Sequence, residues 1–409
     1  MMTRAQLFML KFLRAELKEA ESLGEDVTSE MLSQLADEAN KQKILPLLVD
    51  SMHLTVTSEC FPDYEKYKRI IKSQMLEQAR RAQEFFEIYE KLRESGLFAL
   101  VVKGCVCRTT WPKGELRLSA DEDIYVQPEG FENACEALKS FGLTAVGHAD
   151  ISTDFEIGWR KPDSLLYIEL HRKLFAPDSG ATGDLQRFFD CAFDRAREYH
   201  VGHGTAKVWS MSPDDHLLYL ILHAYKHFIH SGFGIRQVYD IGLWAKQYLT
   251  EIDYDRLANN LKEAHALCFA ATVFAIARDD LGIDLYLPDS MFDNTVDREP
   301  MLQDLLNGGI YGNSTKSRQH AAPMIVEAVS ACREKRNKAG LFQRAFPSRQ
   351  KMLRDFPELK EHPKRLPLIW LKRLSKYRKE TMNDADNSVL DSIRIAKERE
   401  RMLKYYHVI

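Results

Sequence analysis

The sequence contains no apolar run long enough to form a membrane-spanning helix. Such a helix needs about 20 consecutive, mostly apolar residues. The N-terminal segment is apolar in part, but Lys11, Arg14 and Glu16 interrupt it at spacings that are typical of an amphipathic helix. A secretory signal has an uninterrupted apolar centre, so we expect neither a signal peptide nor a membrane partner. The sequence therefore predicts a soluble protein.

Cysteine is sparse and irregularly spaced. The 409 residues include seven cysteines, an odd number, and none of them forms the CxxC pair that zinc ribbons use. The closest two, Cys105 and Cys107, are separated by one residue. These features argue against a disulfide framework and against a cysteine-based metal site. They are typical of a reducing compartment, and we expect a cytoplasmic location.

A strong net charge is also lacking. The formal net charge is −3, which gives no general attraction to the polyanionic backbone of nucleic acid. Basic residues concentrate between Arg333 and Lys379, where there are 16 Lys and Arg against 4 Asp and Glu. Apolar residues are interleaved with these charges. A solvated helix face is therefore favoured over contact with an acidic partner, a lid over a cleft, or binding of nucleic acid.

Apolar periodicity divides the chain into three predicted parts. Residues 1–91 have helical spacing, residues 92–212 contain short apolar segments typical of strands, and residues 213–409 return to helical spacing. Ser212 and Pro213, followed by two acids, predict the start of the first C-terminal helix. We therefore predict an α+β fold. It has a central mixed β-sheet, N-terminal helices, and a C-terminal helical bundle with a basic tail.

Local signals place individual elements. Thr28 can cap a helix from Ser29 to Lys41, and a helix without glycine or proline runs from Tyr64 until Gly96 ends it. A helix is expected at 131–141, and strands at 97–104, 123–126, 143–148, 155–160, 165–174 and 206–211. Four further helices are expected at about 214–230, 236–249, 253–266 and 267–281.

Acidic residues enter two of the predicted strands. Asp121 and Asp123 lie two positions apart, so a strand directs both carboxylates to one face, and Glu122 is expected to point to the opposite face. Two adjacent carboxylates are costly unless a cation neutralises them, and oxygen ligands at this spacing suit Mg²⁺. Glu169 is the one acid in an apolar strand. It therefore either meets a metal or another cation, or is exposed to solvent.

Histidines cluster at two places. His223, His227 and His230 share one face of a helix, with Lys226 between them and Asp240 on the following helix. Zinc binding is disfavoured because the segment HAYKH lacks the glutamate of an HExxH motif. Lining a nucleotide or acceptor cleft and simple helix packing remain the alternatives.

The second place is the strand that carries Glu169. His171 follows Glu169 by two residues and so shares its face. It can orient the site or be a core histidine, and the sequence leaves both possibilities open.

These motifs together resemble the DNA polymerase β-type nucleotidyltransferase superfamily, and more closely an uncharacterised bacterial nucleotidyltransferase family. The shared elements are a Lys-Gly pair, an arginine shortly before an Asp-x-Asp strand, and an acid-x-His strand. They stand here as Lys103-Gly104, Arg117, Asp121/Asp123 and Glu169/His171. The segment HAYKHFIH and part of the basic tail are also similar, so the resemblance covers about residues 40–380.

The resemblance implies a role for each of these residues. Asp121, Asp123 and Glu169 would be the catalytic residues and would bind two Mg²⁺ ions. The nucleotide would be held by Lys103, Gly104, Arg117, His171, His223 and His227. A nucleoside triphosphate, with ATP favoured, would transfer its nucleoside monophosphate to a hydroxyl of a small-molecule or protein acceptor and release pyrophosphate. Where the superfamily has Gly-Ser or Gly-Gly, this chain has Lys103-Gly104 followed by Cys105, without the usual hydroxyl.

Two alternatives stay open because a fold does not establish an activity. One is a nucleotide-binding or regulatory protein that keeps the fold without turnover. The other is an antitoxin-like or scaffold protein in which the helical bundle binds a partner. The acceptor, the base preference and the oligomeric state are not predicted.

Overall fold

The computed structural model describes residues 2–17, 28–52, 63–147, 149–293, 295–309, 315–333, 349–352, 356–372, 375 and 389–409. The N-terminal part consists of helices α1 (Arg4–Leu17), α2 (Ser29–Lys41), α3 (Leu45–Met52) and α4 (Tyr64–Glu94). As predicted, the Thr28 side chain accepts a hydrogen bond from the Met31 amide and so caps α2. Helix α4 ends just before Gly96, whose positive φ of 79° reverses the chain.

A five-stranded sheet forms the centre of the molecule. Its strands are β1 (Ala99–Val102), β2 (Glu122–Val126), β3 (Thr144–Ala145), β4 (Glu156–Arg160) and β5 (Tyr167–His171). Their order across the sheet is β1-β2-β5-β4-β3. Strands β2 and β5 are parallel and all other pairs are antiparallel, so the sheet is mixed, as predicted.

Alternation along the strands gives the sheet two different faces. Ile124 of β2, Ile168 of β5 and Trp159 of β4 are completely buried in the core. Asp123 and Glu169 lie next to Ile124 and Ile168 along β2 and β5, and therefore on the opposite face. The apolar residues fix the register because a shift by one residue would turn the carboxylates into the core.

Two short helices connect the first strands. Helix α5 (Gly104–Cys107) follows β1 directly, and α6 (Phe131–Ser140) follows β2. A separate hairpin of β6 (Arg197–Val201) and β7 (Ala206–Ser210) precedes the C-terminal helices. Only the second of its strands was predicted. The segment REYHV has two apolar residues among charged ones, too few to establish an alternating pattern.

The C-terminal part is helical, as predicted. It contains α7 (Pro213–His230), α8 (Ile235–Gln247), α9 (Tyr254–Glu263), α10 (Leu267–Ala275), α11 (Glu299–Gly308), α12 (Lys316–Arg333) and α13 (Val389–Tyr405). The Ser212 hydroxyl accepts from the Asp215 amide and caps α7. Helix α10 is shorter than expected because a π-helical turn, Ile276–Asp280, follows it.

The structure thus has the predicted α+β fold, with a mixed sheet between helices at both ends. The domain limits at residues 91 and 212 stay a prediction. About half of the basic segment, residues 333–379, falls outside the described residues. Within the described part of the chain, no helix combines the length and the apolar character that crossing a membrane requires.

Candidate active site

The parallel pairing of β2 and β5 places Asp123 directly opposite Glu169. His171 lies two residues further along β5 and therefore shares the face of Glu169. One ligand atom from each of these three residues lies within 4.8 Å of the others, and the group could hold a metal ion. Two of the three predicted metal ligands, 46 positions apart in the sequence, thus meet across neighbouring strands, with His171 as the third member.

Asp121 lies just before β2 and lines the same cavity. It is not a member of the Asp123–Glu169–His171 group. Burial and the nearby Asp123 carboxylate raise the pKa of Asp121 above its usual value. The predicted carboxylate set is therefore gathered around one cavity, with Asp121 beside the three groups that lie closest together.

Lys103 brings a positive charge to this group. Its Nζ lies 3.0 Å from Asp123 Oδ1 and 3.2 Å from His223 Nε2. Burial alone would lower the pKa of Lys103, but the carboxylates of Asp123, Asp121 and Glu169 help to raise it well above its usual value. The ammonium is therefore a fixed charge that neutralises part of the acidic cluster.

Glu156 is a further carboxylate at the site. Strand β4 pairs it with His171, and its Oε2 lies 3.4 Å from His171 Nδ1. Sequence analysis missed this residue. The alternation of FEIGWR could have revealed it, because Glu156 and Arg160 share the polar face of a strand that neighbours β5.

The clustered carboxylates carry more negative charge than the Lys103 ammonium can neutralise. Burial, Asp123 and Glu156 raise the pKa of Glu169 to about 7. Burial acts in the same direction on Asp123, but Lys103 and His171 overcome it and lower the pKa of Asp123. Burial is the main cause of the raised pKa of Glu169, and the neighbouring carboxylates add to it because Lys103 does not offset them fully. Oxygen donors with such an excess of charge fit a divalent cation.

A sharp turn joins β1 to α5 beside these carboxylates. Gly104 has φ +37°, and a Cβ at this position would lie 2.0 Å from Glu122 Oε2. The same Glu122 oxygen accepts a hydrogen bond of 3.0 Å from the Cys105 amide, and the other oxygen accepts one of 2.5 Å from Arg108. Glu122 thus points away from the face of Asp123, as predicted, and holds the turn.

Arg117 also lines the cavity, with Asp240 of α8 as its partner. Its Nε and Nη2 donate to the two Asp240 oxygens, both at 2.7 Å, and its Nη1 donates to the Gly104 carbonyl at 3.1 Å. Burial would lower the pKa of Arg117, but Asp240 raises it. This buried ion pair connects α8 to the glycine turn, and its two charges neutralise each other.

One face of α7 forms part of the cavity wall. His223, Lys226 and His227 line it, and the His223 and His227 ring centroids are 4.6 Å apart. Burial, with Lys103 and Lys226 nearby, lowers the pKa of His227 well below its usual value. The rings are therefore neutral at pH 7. Sequence analysis did not identify Arg236 of α8, which also lines the cavity.

Two cavities lie near the glycine turn, and their linings differ. The cavity around the carboxylates has a volume of about 260 Å³. A larger one, of about 890 Å³, lies between α4, residues 105–115 and the β6–β7 hairpin, and none of the clustered carboxylates lines it. Charge clustering, rather than volume, identifies the smaller cavity as the candidate active site.

A family model described as an uncharacterised nucleotidyltransferase matches residues 29–282, more than half of the chain. The chain belongs to this uncharacterised nucleotidyltransferase family. In this family member, the residues that line the carboxylate cavity all fall between Lys103 and Asp240, inside the matched region. None of the curated proteins compared with the chain matches it significantly.

Proposed function

We propose that this protein catalyses the Mg²⁺-dependent transfer of a nucleoside monophosphate from a nucleoside triphosphate, with ATP as the preferred donor. The acceptor is a hydroxyl group of a small molecule or a protein. The observation that carries the proposal is the approach of Asp123, Glu169 and His171 to within 4.8 Å in a chain of a nucleotidyltransferase family.

The acidic residues would hold the metal in this proposal. Asp121, Asp123 and Glu169 are the proposed ligands of two Mg²⁺ ions, and His171 orients Asp123 from a distance of 3.2 Å. Bound Mg²⁺ would supply neutralisation of the triphosphate charge and a lower pKa for the acceptor hydroxyl. Lys103 keeps Asp123 ionised and fixed in position, because its ammonium forms an ion pair of 3.0 Å with that carboxylate.

The reaction is a substitution at the α-phosphorus. The acceptor oxygen forms a new bond to this phosphorus, and the bond between the α-phosphorus and the oxygen that bridges to the β-phosphate breaks. Pyrophosphate leaves with the electron pair, and the hydroxyl proton passes to solvent. The neutral His223 and His227 would line the path of the substrate without adding positive charge.

Calorimetric titration with ATP, GTP, CTP and UTP tests this proposal. We expect binding that requires Mg²⁺ and that falls at least about 100-fold in Asp123→Asn, since each carboxylate ligand contributes strongly to such sites. Asp178→Asn, an exposed change outside the cavity, is the matched control. Binding of a nucleotide with equal affinity in the absence of Mg²⁺, or in Asp123→Asn, would contradict the proposal.

A second candidate is a nucleotide-binding protein without turnover. The ion pair between Lys103 and Asp123, at 3.0 Å, favours it because a protein ammonium already neutralises a proposed metal ligand. It predicts nucleotide binding with no release of pyrophosphate in the presence of hydroxyl acceptors. A coupled pyrophosphate assay with a panel of sugars, nucleosides and hydroxyl-bearing proteins distinguishes the two candidates.

A further inference from the structure

The turn after β1 offers few backbone donors to a phosphate. Glycine turns often bind phosphate through free amide groups. Here the Cys105 amide donates to Glu122, and the Lys103 amide donates to His216 Nε2 at 3.1 Å. Burial lowers the pKa of His216 to about 3, so this ring is a neutral acceptor. The protein itself already satisfies these two amides of the turn.

Two cations near the turn are also occupied. Arg117 donates through two nitrogens to Asp240, and a bidentate pair of this kind leaves little charge for another anion. Lys103 is bound to Asp123. A triphosphate carries several negative charges, and its β- and γ-phosphates therefore need a cation from another wall of the cavity.

Lys226 of α7 is such a cation. It lines the cavity from α7, between the positions of His223 and His227 on the helix. In the described part of the chain, its ammonium forms neither a hydrogen bond nor an ion pair. Burial lowers the pKa of Lys226, and Lys103 adds to this effect, although Glu156 opposes it. Lys226 is partly buried, and an ammonium that loses water without gaining a partner is costly, so an anionic ligand would reduce this cost.

We propose that Lys226 binds the β- and γ-phosphates of the nucleoside triphosphate, the part that leaves as pyrophosphate. This inference rests on the proposed function. The proposed metal ligands lie on or just before strands of the sheet and Lys226 lies on α7, and all of them line the cavity, so the phosphate chain would run between them. Arg117 instead holds the glycine turn through the Gly104 carbonyl.

The assignment predicts a dependence on the number of phosphates. In the presence of Mg²⁺, Lys226→Met should weaken ATP and ADP binding by about 10- to 100-fold, the usual size of a charge-assisted contact. AMP binding should change by less than about 3-fold. Binding of inorganic pyrophosphate should weaken together with that of ATP. Lys226→Arg, which keeps the charge, should recover most of the ATP affinity.

Calorimetry on the full chain measures these affinities. Lys207→Met is the matched control, because Lys207 is exposed on the β6–β7 hairpin and pairs with Glu198. Thermal unfolding of Lys226→Met verifies its fold, and removal of a partly buried charge without a partner should not lower the melting temperature.

The possible outcomes separate the two proposals. Wild-type protein that binds neither ATP, ADP nor AMP would overturn the proposed function. If wild type binds ATP and Lys226→Met binds it equally well, the assignment of Lys226 fails while the proposed function stands. Equal weakening of ATP, ADP and AMP would also overturn the assignment, since it would indicate a general change in the cavity.

Discussion

Single residues at the site are held by partners that are distant in the sequence. Arg117 and Asp240 are 123 positions apart, yet they form a bidentate pair with both distances at 2.7 Å. Lys103 contacts His223 across 120 positions. The packing of the fold brings such pairs together. The charge of a single residue therefore does not reveal whether its partner is a substrate or another protein side chain.

Gly104 provides a prediction at this scale. Gly104→Ala should lower the free energy of unfolding by about 2–4 kcal/mol, because its Cβ would displace Glu122 and the Cys105 amide would lose its acceptor. Gly142→Ala is the matched control, since Gly142 also has a positive φ, of +86°, but open space around its Cβ position. Denaturant unfolding measures both variants. An equal loss in the two variants would show that backbone conformation, and not the contact with Glu122, makes glycine necessary.

The predictable site residues were those with a local pattern. Asp121, Asp123 and Glu169 could be identified because an acid next to or within an apolar strand is costly unless it meets a cation or solvent. Arg236 carries no comparable signal, since a base near the start of a helix is common on any surface, and the alternation of FEIGWR places Glu156 on a polar strand face without showing what that face meets. Their role became visible only when the strand order and the helix packing placed them in the cavity.

At the scale of elements, strand order is the decisive feature. The strands themselves were predictable from their apolar segments, but the parallel pairing of β2 with β5 was not. Residues 127–166, which hold α6, β3 and β4, lie between these two strands. The order of the strands across the sheet therefore depends on how the intervening elements pack. The periodicity within one strand contains no information about which strand will lie next to it.

Helices α11, α12 and α13 meet at a buried ion cluster, which gives a second prediction. Asp304 of α11 accepts from Arg318 of α12 at 2.9 Å and pairs with Arg399 of α13. Burial would raise the pKa of Asp304, but the two guanidinium groups lower it. A lowered pKa means that the stabilisation is present above the unfolded value of about 3.9 and is lost as the pH falls through the folded value.

Asp304→Asn should therefore destabilise the protein at pH 7, by about 3–5 kcal/mol. The difference from wild type should narrow as the pH falls below about 4, where the carboxyl of the unfolded chain takes up a proton, and should disappear only below the lowered pKa of Asp304 in the folded protein. Urea unfolding at a series of pH values measures this difference. A constant difference between pH 7 and pH 3 would show that the titration of Asp304 does not contribute.

At the scale of the whole molecule, the chain extends well beyond its family match. The match ends at residue 282, whereas α11, α12 and α13 follow it. Two of these helices, α12 and α13, contact the end of α7, where Arg318 donates to the Ser231 carbonyl at 2.9 Å and Arg399 donates to the Phe228 carbonyl. Helix α7 also carries Lys226, which lines the cavity. The C-terminal helices therefore hold in place a helix that forms part of the candidate site.

Ligand binding should consequently stabilise the entire fold. We expect that Mg²⁺ with ATP at about 100 times the dissociation constant raises the free energy of unfolding by about 2.7 kcal/mol, because only the folded cavity binds both. Mg²⁺ or ATP alone should have a smaller effect. Thermal unfolding of wild type and Asp123→Asn measures this, and equal stabilisation of the two proteins would contradict binding at the carboxylate cavity.

The backbone of Lys103 has a consequence for the stability of the fold. With φ 58° and ψ −128°, the lysine adopts a conformation that glycine tolerates far better, and such a residue costs about 1–3 kcal/mol. Lys103→Gly would relieve this strain, but it would also remove the ammonium that lies 3.0 Å from the Asp123 carboxylate. The chain therefore gives up backbone stability at this position in exchange for a positive charge beside the clustered carboxylates.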